Sequence, residues 1–216
     1  AIGGNLDITL NPRARLPVTF GYSYSVGSTR ATDGVFCSVF RLCDETSRDF
    51  LKKRRQFGAV SVIVTRNQVN SLLDPSEGSL MTVSLLHASK LFGSQPPYEF
   101  NRGEAEISKY HPISRRTVFA WRIRGGTILP KNIDLAGQSV GYVPPDQRFY
   151  GGGPTSVRGY GRNELGPRVY VVTDTNNIDP AASIRAGEKV FRNVLTAPTG
   201  GNTALVFDAE LRMASP

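Results

Sequence analysis

The residues best suited to chemistry lie in a glycine-rich stretch, RFYGGGPTSVRGYG, which runs from Arg148 to Gly161 and carries Arg158. Glycine permits positive φ angles and close backbone approach, so this stretch predicts a tightly turned loop with Arg158 at its tip. A guanidinium on such a loop is a planar fork of hydrogen-bond donors that suits a carboxylate. The chemistry we expect of Arg158 is therefore recognition of an acidic side chain.

Three interpretations of this loop compete. A phosphate-binding loop is disfavoured, because no Gly-Lys-Ser/Thr sequence follows and the stretch does not begin a helix. A solvated, flexible linker is the simplest account of its composition. The third interpretation is an ordered loop folded inside a β-barrel. The strands that flank the loop decide between the last two.

Carboxylates at alternate positions are the other candidates for chemistry, and they form two pairs: Glu104 with Glu106, and Asp208 with Glu210. Paired carboxylates can perform acid–base catalysis. Neither pair is accompanied by a nucleophile, a cofactor motif or a cluster of metal ligands, and both histidines of the chain are isolated. The sequence therefore predicts no enzymatic activity, no cofactor and no metal site.

The charge balance is basic, with 26 Lys and Arg against 18 Asp and Glu in 216 residues, a formal net charge of +8. Such a balance favours nucleic acid or an anionic surface as a partner. However, the basic residues are mostly dispersed, and the single tight run, Lys52–Arg55, is not interleaved with aromatic residues. We therefore predict no nucleic-acid binding.

The two cysteines, Cys37 and Cys43, lie six positions apart without a companion His or Cys that would make a zinc site. They fit a short-loop disulfide in an oxidising compartment, or two free thiols in a reducing one.

Alternation with a period of two dominates the chain, and it is clearest in 16–26, where one face is apolar and the other is small and polar. Side chains alternate across a strand, so each such segment predicts a strand with two unlike faces. Seven strands are predicted in this way: 5–10, 16–26, 57–67, 79–90, 98–110, 116–127 and 203–213.

These strands are long enough for tilted crossings of a bilayer. A soluble sandwich alternates in the same way, so the connections are needed to choose. Short connections alternate strictly with longer or more variable ones: 11–15, 68–78 and 111–115 against 27–56, 91–97 and 128–202. This sorting is typical of the periplasmic turns and outer loops of a transmembrane barrel.

The strand count indicates a piece of a barrel. A bacterial single-chain barrel has an even number of strands, at least eight, and closes on itself. Seven strands alone would leave two unpaired edges in lipid. We therefore expect this chain to be a segment of a larger all-β transmembrane barrel, with the remaining strands outside it.

The segments around the loop resemble a known family. Val157, Arg158, Gly159 and Tyr160, preceded by Gly151, Gly152 and Gly153, resemble the signature loop of the outer-membrane protein assembly-factor superfamily (BamA/TamA-like, the bacterial surface antigen family). Further stretches resemble the family's barrel at matching places: the turn 70–78, the strand pair 100–112 and 117–127, and the strand in 200–212. The resemblance covers about residues 57–213.

The resemblance implies part of a barrel of about sixteen antiparallel strands. In the family the signature loop, here 128–202, folds inward from the cell surface, and its arginine contacts acids on the inner wall. Arg158 would accordingly meet Glu210, or alternatively Asp208. The segment 162–200 would be a disordered extension or a surface cap. The family's periplasmic POTRA repeats are expected to be absent from this chain.

By the same resemblance, the chain would be the barrel portion of a factor that inserts β-barrel proteins into the bacterial outer membrane. Its partners would be unfolded outer-membrane protein clients, outer-membrane lipid and lipopolysaccharide, and accessory lipoproteins or a periplasm-spanning partner. This location favours the disulfide between Cys37 and Cys43. The alternatives are a two-partner-secretion-type transporter or passive pore, and a soluble β-sandwich binding module.

Overall fold

One antiparallel sheet dominates the fold, as seen in a computed structural model that describes residues 1–13, 15–28, 36–37, 43–135, 137–154, 156–172, 174–187 and 189–213. Over these residues the sheet has seven strands in the order β1-β2-β3-β4-β5-β6-β11. Their bounds are β1 Ile2–Leu10, β2 Val18–Gly27, β3 Arg55–Asn67, β4 Gly78–Ala88, β5 Phe100–Ser114, β6 Thr117–Pro130 and β11 Thr203–Met213. The predicted all-β fold with seven antiparallel strands is confirmed.

The long connection between β6 and β11 contains smaller elements. Strand β7 (Asn132–Leu135) pairs with β8 (Gln138–Gly141), and β9 (Arg168–Val172) pairs with β10 (Val194–Pro198). Helix α2 (Pro180–Ala186) lies between β9 and β10, and helix α1 (Glu45–Lys52) lies between β2 and β3. In the part of the chain that the structure describes, no helix is long and apolar enough to cross a membrane.

The chain divides into two units. The sheet unit comprises Ala1–Thr29, Lys53–Phe149 and Asn202–Pro216. The loop unit comprises Arg30–Lys52 and Tyr150–Gly201.

Helices α1 and α2 are each preceded by an aspartate. The backbone N–H of Ser47 donates to the carboxylate of Asp44 at 2.8 Å before α1, and this hydrogen bonding with Ser47 lowers the pKa of Asp44. The N–H groups of Ala181 and Ala182 donate to Asp179 in the same way before α2. An aspartate at this position satisfies N–H groups that have no partner within the helix.

The strand bounds differ from the predicted ones mainly in the hairpin of β5 and β6. The predicted connection 111–115 shrinks, because pairing continues through an irregularity near Pro112 to Ser114 opposite Thr117. At the other end, β6 runs on to Pro130 within the predicted loop 128–202. The predicted strand 79–90 ends at Ala88 and is followed by a single 3₁₀ turn, Lys90–Phe92.

The two faces of the sheet differ in chemistry. The apolar face carries large side chains that the structure leaves exposed, and Ile2, Leu205 and Phe207 are 76, 77 and 63 % exposed. The opposite, polar face carries Thr, Ser, Glu and Arg side chains on the alternate positions of β4, β5 and β6. A soluble protein rarely exposes so large a contiguous apolar surface. In a transmembrane barrel this surface faces lipid, and the polar face lines the lumen.

The sheet has two distinct ends. The connections 28–54, 89–99 and 131–202 leave from one end, which we call the long-loop end, and those at 11–17, 68–77 and 115–116 leave from the short-turn end. A buried apolar cluster lies on the polar face at the long-loop end. Its members are Ala59, Ala88, Phe100, Ile128 and Val143, with Phe57, Leu86 and Phe149 packed against them. The core therefore lies on the polar side of the sheet.

Candidate functional site

The glycine-rich loop is a closed, hydrogen-bonded turn within the loop unit. Gly151 forms an antiparallel bridge with Leu165, and the N–H of Gly153 donates to the carbonyl of Tyr160 at 3.0 Å. Gly152 and Gly153 have φ angles of +96° and +99°, which other residues rarely adopt. A β-carbon on Gly152 would also collide with the carbonyl oxygen of Gly161. These positions require glycine, and the loop has the turned geometry that its composition predicts.

Arg158 lies at the tip of this loop and is exposed. Ser156, two residues before it, is buried, and Gly159 directly after it has a φ of +95°. The tip therefore follows the buried Ser156, and the chain reverses direction at Gly159, directly after Arg158. This arrangement presents the guanidinium on a short, ordered support.

The start of the long connection is held on the polar face of the sheet unit by a group that we call the loop anchor: Val143, Phe149, Arg102 and Gly126. Val143 is fully buried in the apolar cluster. The guanidinium of Arg102 lies 4.9 Å from the centroid of the Phe149 ring, a cation–π contact. A β-carbon on Gly126 would lie 2.6 Å from the same ring. Gly126 thus leaves the space that Phe149 occupies.

The acids that the sequence nominates as partners of Arg158 lie on the polar face of β11. Asp208 stands directly opposite Arg122 of β6. Two nitrogens of the Arg122 guanidinium, Nε and Nη2, donate to Oδ2 of Asp208 at 3.0 and 2.7 Å. Asp208 is therefore already engaged by a charge-assisted pair within the wall.

Glu210 has a different environment. It stands opposite Ala120, whose side chain offers no charge, and Nε of Arg212 on its own strand donates to it at 3.3 Å. The Glu210 side chain is 35 % exposed. Of the two acids, Glu210 is the one whose cross-strand neighbour does not bind its carboxylate.

Arg158 and Glu210 belong to different units, so their pairing stays a prediction. Arg122 and Phe149 are candidate functional residues that the sequence alone does not predict. The alternation places Arg122 on the same face as Arg124. The partner of Arg122, however, is Asp208, 86 residues away in the sequence, and this pairing depends on the strand register. Phe149 belongs to the glycine-rich stretch, but nothing in the sequence predicts its contact with Arg102.

The remaining predicted site concerns the cysteines. Cys37 and Cys43 are joined by a disulfide just before α1. Nζ of Lys52, at the end of α1, lies 5.9 Å from the centroid of the buried Phe36 ring. Among the described residues, no group of three or more His, Cys, Asp or Glu side chains is placed to hold a metal ion.

Comparison with protein families gives a match along the whole sequence. A family model described as "Omp85 superfamily domain" matches residues 1–216. Two curated relatives are named as assembly proteins. The "Outer membrane protein assembly factor BamA" of Nitratidesulfovibrio vulgaris is 30% identical over 129 residues, covering 58% of this chain and 15% of the relative. The "Sorting and assembly machinery component 50 homolog" of Mus musculus is 31% identical over 101 residues, covering 46% of this chain and 19% of the relative.

A solved structure shares the fold. The crystal structure of BamA from Haemophilus ducreyi lacking POTRA domains 1–3 superimposes with a TM-score of 0.66 at 17% identity. The match covers 99% of this chain and 37% of that one. The chain thus spans much less than half the length of each of these proteins.

Proposed function

This chain belongs to the Omp85 superfamily, and from that premise we propose that it is the barrel portion of an outer-membrane protein assembly and insertion factor. The observation that carries the proposal is the family match along all 216 residues, together with relatives whose names describe outer-membrane protein assembly and a sorting and assembly machinery. The sheet is part of a bacterial outer-membrane β-barrel. The soluble β-sandwich alternative is therefore wrong.

The sheet supports this proposal through its inverted polarity. Its apolar face suits lipid, while its polar face holds ion pairs such as Arg122 with Asp208. The matches cover only 15% and 19% of the two curated relatives. We therefore propose the activity of the whole protein as well. Its clients would be unfolded outer-membrane β-barrel proteins. Lipopolysaccharide, accessory lipoproteins and a periplasm-spanning partner are proposed with them.

The proposed mechanism uses Arg158 as a pin on the barrel wall. Arg158 would donate to Glu210, the acid whose cross-strand neighbour is Ala120, because Asp208 already receives two hydrogen bonds from Arg122. A guanidinium–carboxylate pair in the lumen is strong when both partners are present, and removing either leaves a charge unpaired. The loop anchor would fix where the connection starts, and the pin would fix its tip. Together they would hold the wall while strands open elsewhere.

The test is client insertion in cells that depend on the full-length protein carrying a substitution in this segment. Arg158→Ala should lower the amount of folded, heat-modifiable client barrels several-fold, because the loop tip loses its acid partner. Glu210→Ala should do the same. Arg162→Ala, on the same loop, and Tyr160→Phe serve as controls and should insert clients normally.

Exchanging the two charged residues tests whether Arg158 and Glu210 act as a pair, or whether each is needed for a separate reason. The double variant Arg158→Glu with Glu210→Arg should restore part of the insertion that each single change removes. Normal client levels in Arg158→Ala cells would mean that the pin has no functional role. Loss of one secreted protein with all clients inserted would favour the two-partner-secretion-type transporter.

A further inference from the structure

The apolar face of the sheet is interrupted by a depression of about 460 Å³ near the long-loop ends of β4, β5 and β6. Gly103 of β5 forms its floor. The side chains of Val62, Leu85 and Leu129 form its walls, on strands β3 and β4 to one side of β5 and on β6 to the other. All of these residues occupy positions that point to the apolar face. The depression is therefore open toward the lipid.

Gly103 is not required by the backbone. Its φ angle lies outside the left-handed region, and the nearest atom to an added β-carbon would be Cδ2 of Leu85 at 3.5 Å, an ordinary contact. Glycine inside a strand weakens it and often marks a place where a ligand approaches closely. Here the missing side chain keeps the floor of the depression open.

A polar pair lies on the rim of the depression. His87 and Asn101 stand opposite each other on β4 and β5, and Nδ1 of His87 lies 2.6 Å from Oδ1 of Asn101. The ring of Phe92 meets His87 edge-on at 5.9 Å between centroids. The pair lies at the long-loop end, the outer side of the membrane in barrels of this kind. Amide and imidazole groups form hydrogen bonds that suit carbonyl and hydroxyl oxygens.

We propose that this depression binds one acyl chain of lipopolysaccharide, the lipid of the outer leaflet. The chain would lie over Gly103 between Leu85 and Leu129, and its ester or amide linkage would meet His87 and Asn101. The apolar floor and walls are continuous with the lipid-facing surface, and the polar rim would orient the bound lipid with its linkage toward the long-loop end. This inference rests on the proposed placement in an outer membrane, with the long connections outside.

The test compares two outward-facing glycines in the full-length protein. Gly103→Leu fills the floor of the depression. Gly4→Leu is the matched control, because Gly4 lies on the same face in β1 and an added β-carbon there would meet nothing within 4 Å. Each protein is extracted from outer membranes, and the lipids bound to it are identified by native mass spectrometry. Folding is checked first by the shift of the band on boiling.

Wild type and Gly4→Leu should retain lipopolysaccharide, and Gly103→Leu should lose most of it. Asn101→Leu leaves the floor open but removes the rim, and should lower lipopolysaccharide occupancy several-fold. Equal retention by Gly103→Leu and wild type overturns the site, as does retention of phospholipid alone by all variants. The readout is lipid occupancy and not client insertion, so a negative result leaves the proposed function standing.

Discussion

Asp208 and Glu210 stand two residues apart on one strand but belong to different electrostatic environments. Asp208 shares two short hydrogen bonds with Arg122, and both side chains of this pair are about two-thirds buried. Glu210 makes a longer contact with Arg212, whose guanidinium also lies 5.4 Å from the Tyr110 ring centroid. The first acid is paired across two strands of the wall, whereas the second contacts an arginine of its own strand.

This division predicts unequal effects on stability. Asp208→Asn should lower the free energy of unfolding of the full-length protein by about 1 kcal/mol, because Arg122 keeps its charge and loses its partner. Glu210→Gln should lower it less, while reducing client insertion more. The measurement is urea unfolding in phospholipid vesicles, paired with the insertion assay. Equal losses of stability for the two variants would contradict the division.

At the residue scale, the sequence predicted the conformation of the glycine-rich loop better than the side-chain contacts on the polar face of the sheet. The positive φ angles of Gly152, Gly153 and Gly159 are the property that glycine spacing predicts. The engagement of Asp208 by Arg122 was not predictable, because it depends on the register between β6 and β11 across a long connection. The contact of Arg102 with Phe149 was not predictable either, because it depends on how the connection after β6 returns to the polar face of β5.

Among the elements, the connection 89–99 between β4 and β5 is attached to the first residues of β3 by hydrogen bonds of Ser94 and Gln95. Oγ of Ser94 donates to the carbonyl of Gly58 at 2.8 Å and accepts from its N–H at 3.0 Å. The N–H of Gln95 donates to the carbonyl of Gln56 at 3.0 Å. Gly58 has no room for a side chain, because the carbonyl of Phe92 lies against it. The connection therefore extends the sheet at the long-loop end.

Ser94→Ala should destabilise this end of the barrel by about 1–3 kcal/mol, since the buried N–H of Gly58 loses its acceptor. Ser89→Ala is the matched control in the same connection. Its hydroxyl is buried without a hydrogen-bond partner in the described part of the chain, so its removal should be neutral or slightly stabilising. Urea unfolding and limited proteolysis of residues 89–99 would measure both. A loss as large for Ser89→Ala would contradict this role of Ser94.

The elements that sequence reasoning missed are the short ones. Strands β9 and β10 and helix α2 lie in the segment 162–200, for which a disordered extension or a surface cap was expected. Strands of five residues leave too few alternating positions to be recognised. Most of the long strands were recognised because their alternation continues for about eleven residues, as in β11, whereas β1 was predicted only as 5–10 and spans Ile2–Leu10.

For the molecule as a whole, the decisive property is that two adjacent residues of a strand face different solvents. Val83 of β4 lies on the apolar face opposite Ala105, and Thr82 lies on the polar face opposite Glu106. A cation at position 83 would have to leave water for lipid. At position 82 it would gain an acid as its cross-strand neighbour.

Val83→Lys should therefore destabilise the full-length barrel by about 2–4 kcal/mol, and Thr82→Lys should leave its stability nearly unchanged. Urea titration of the protein folded into phospholipid vesicles measures both. A larger loss for Thr82→Lys than for Val83→Lys would reverse the assignment of the faces. The alternation in the sequence defines the two faces. That the apolar face meets lipid follows only from the alternation of short and long connections and from the family match.

The apolar cluster on the polar face also bears on leakage through the outer membrane. Phe57 and Phe100 stack with centroids 5.9 Å apart, beside Ile128 and the fully buried Val143, at the outer end of an otherwise charged wall. Constrictions lined by apolar side chains shed water and block ions. In a complete barrel, we expect a cluster at this place to narrow the outer mouth of the lumen and so to limit the leakage of ions through it.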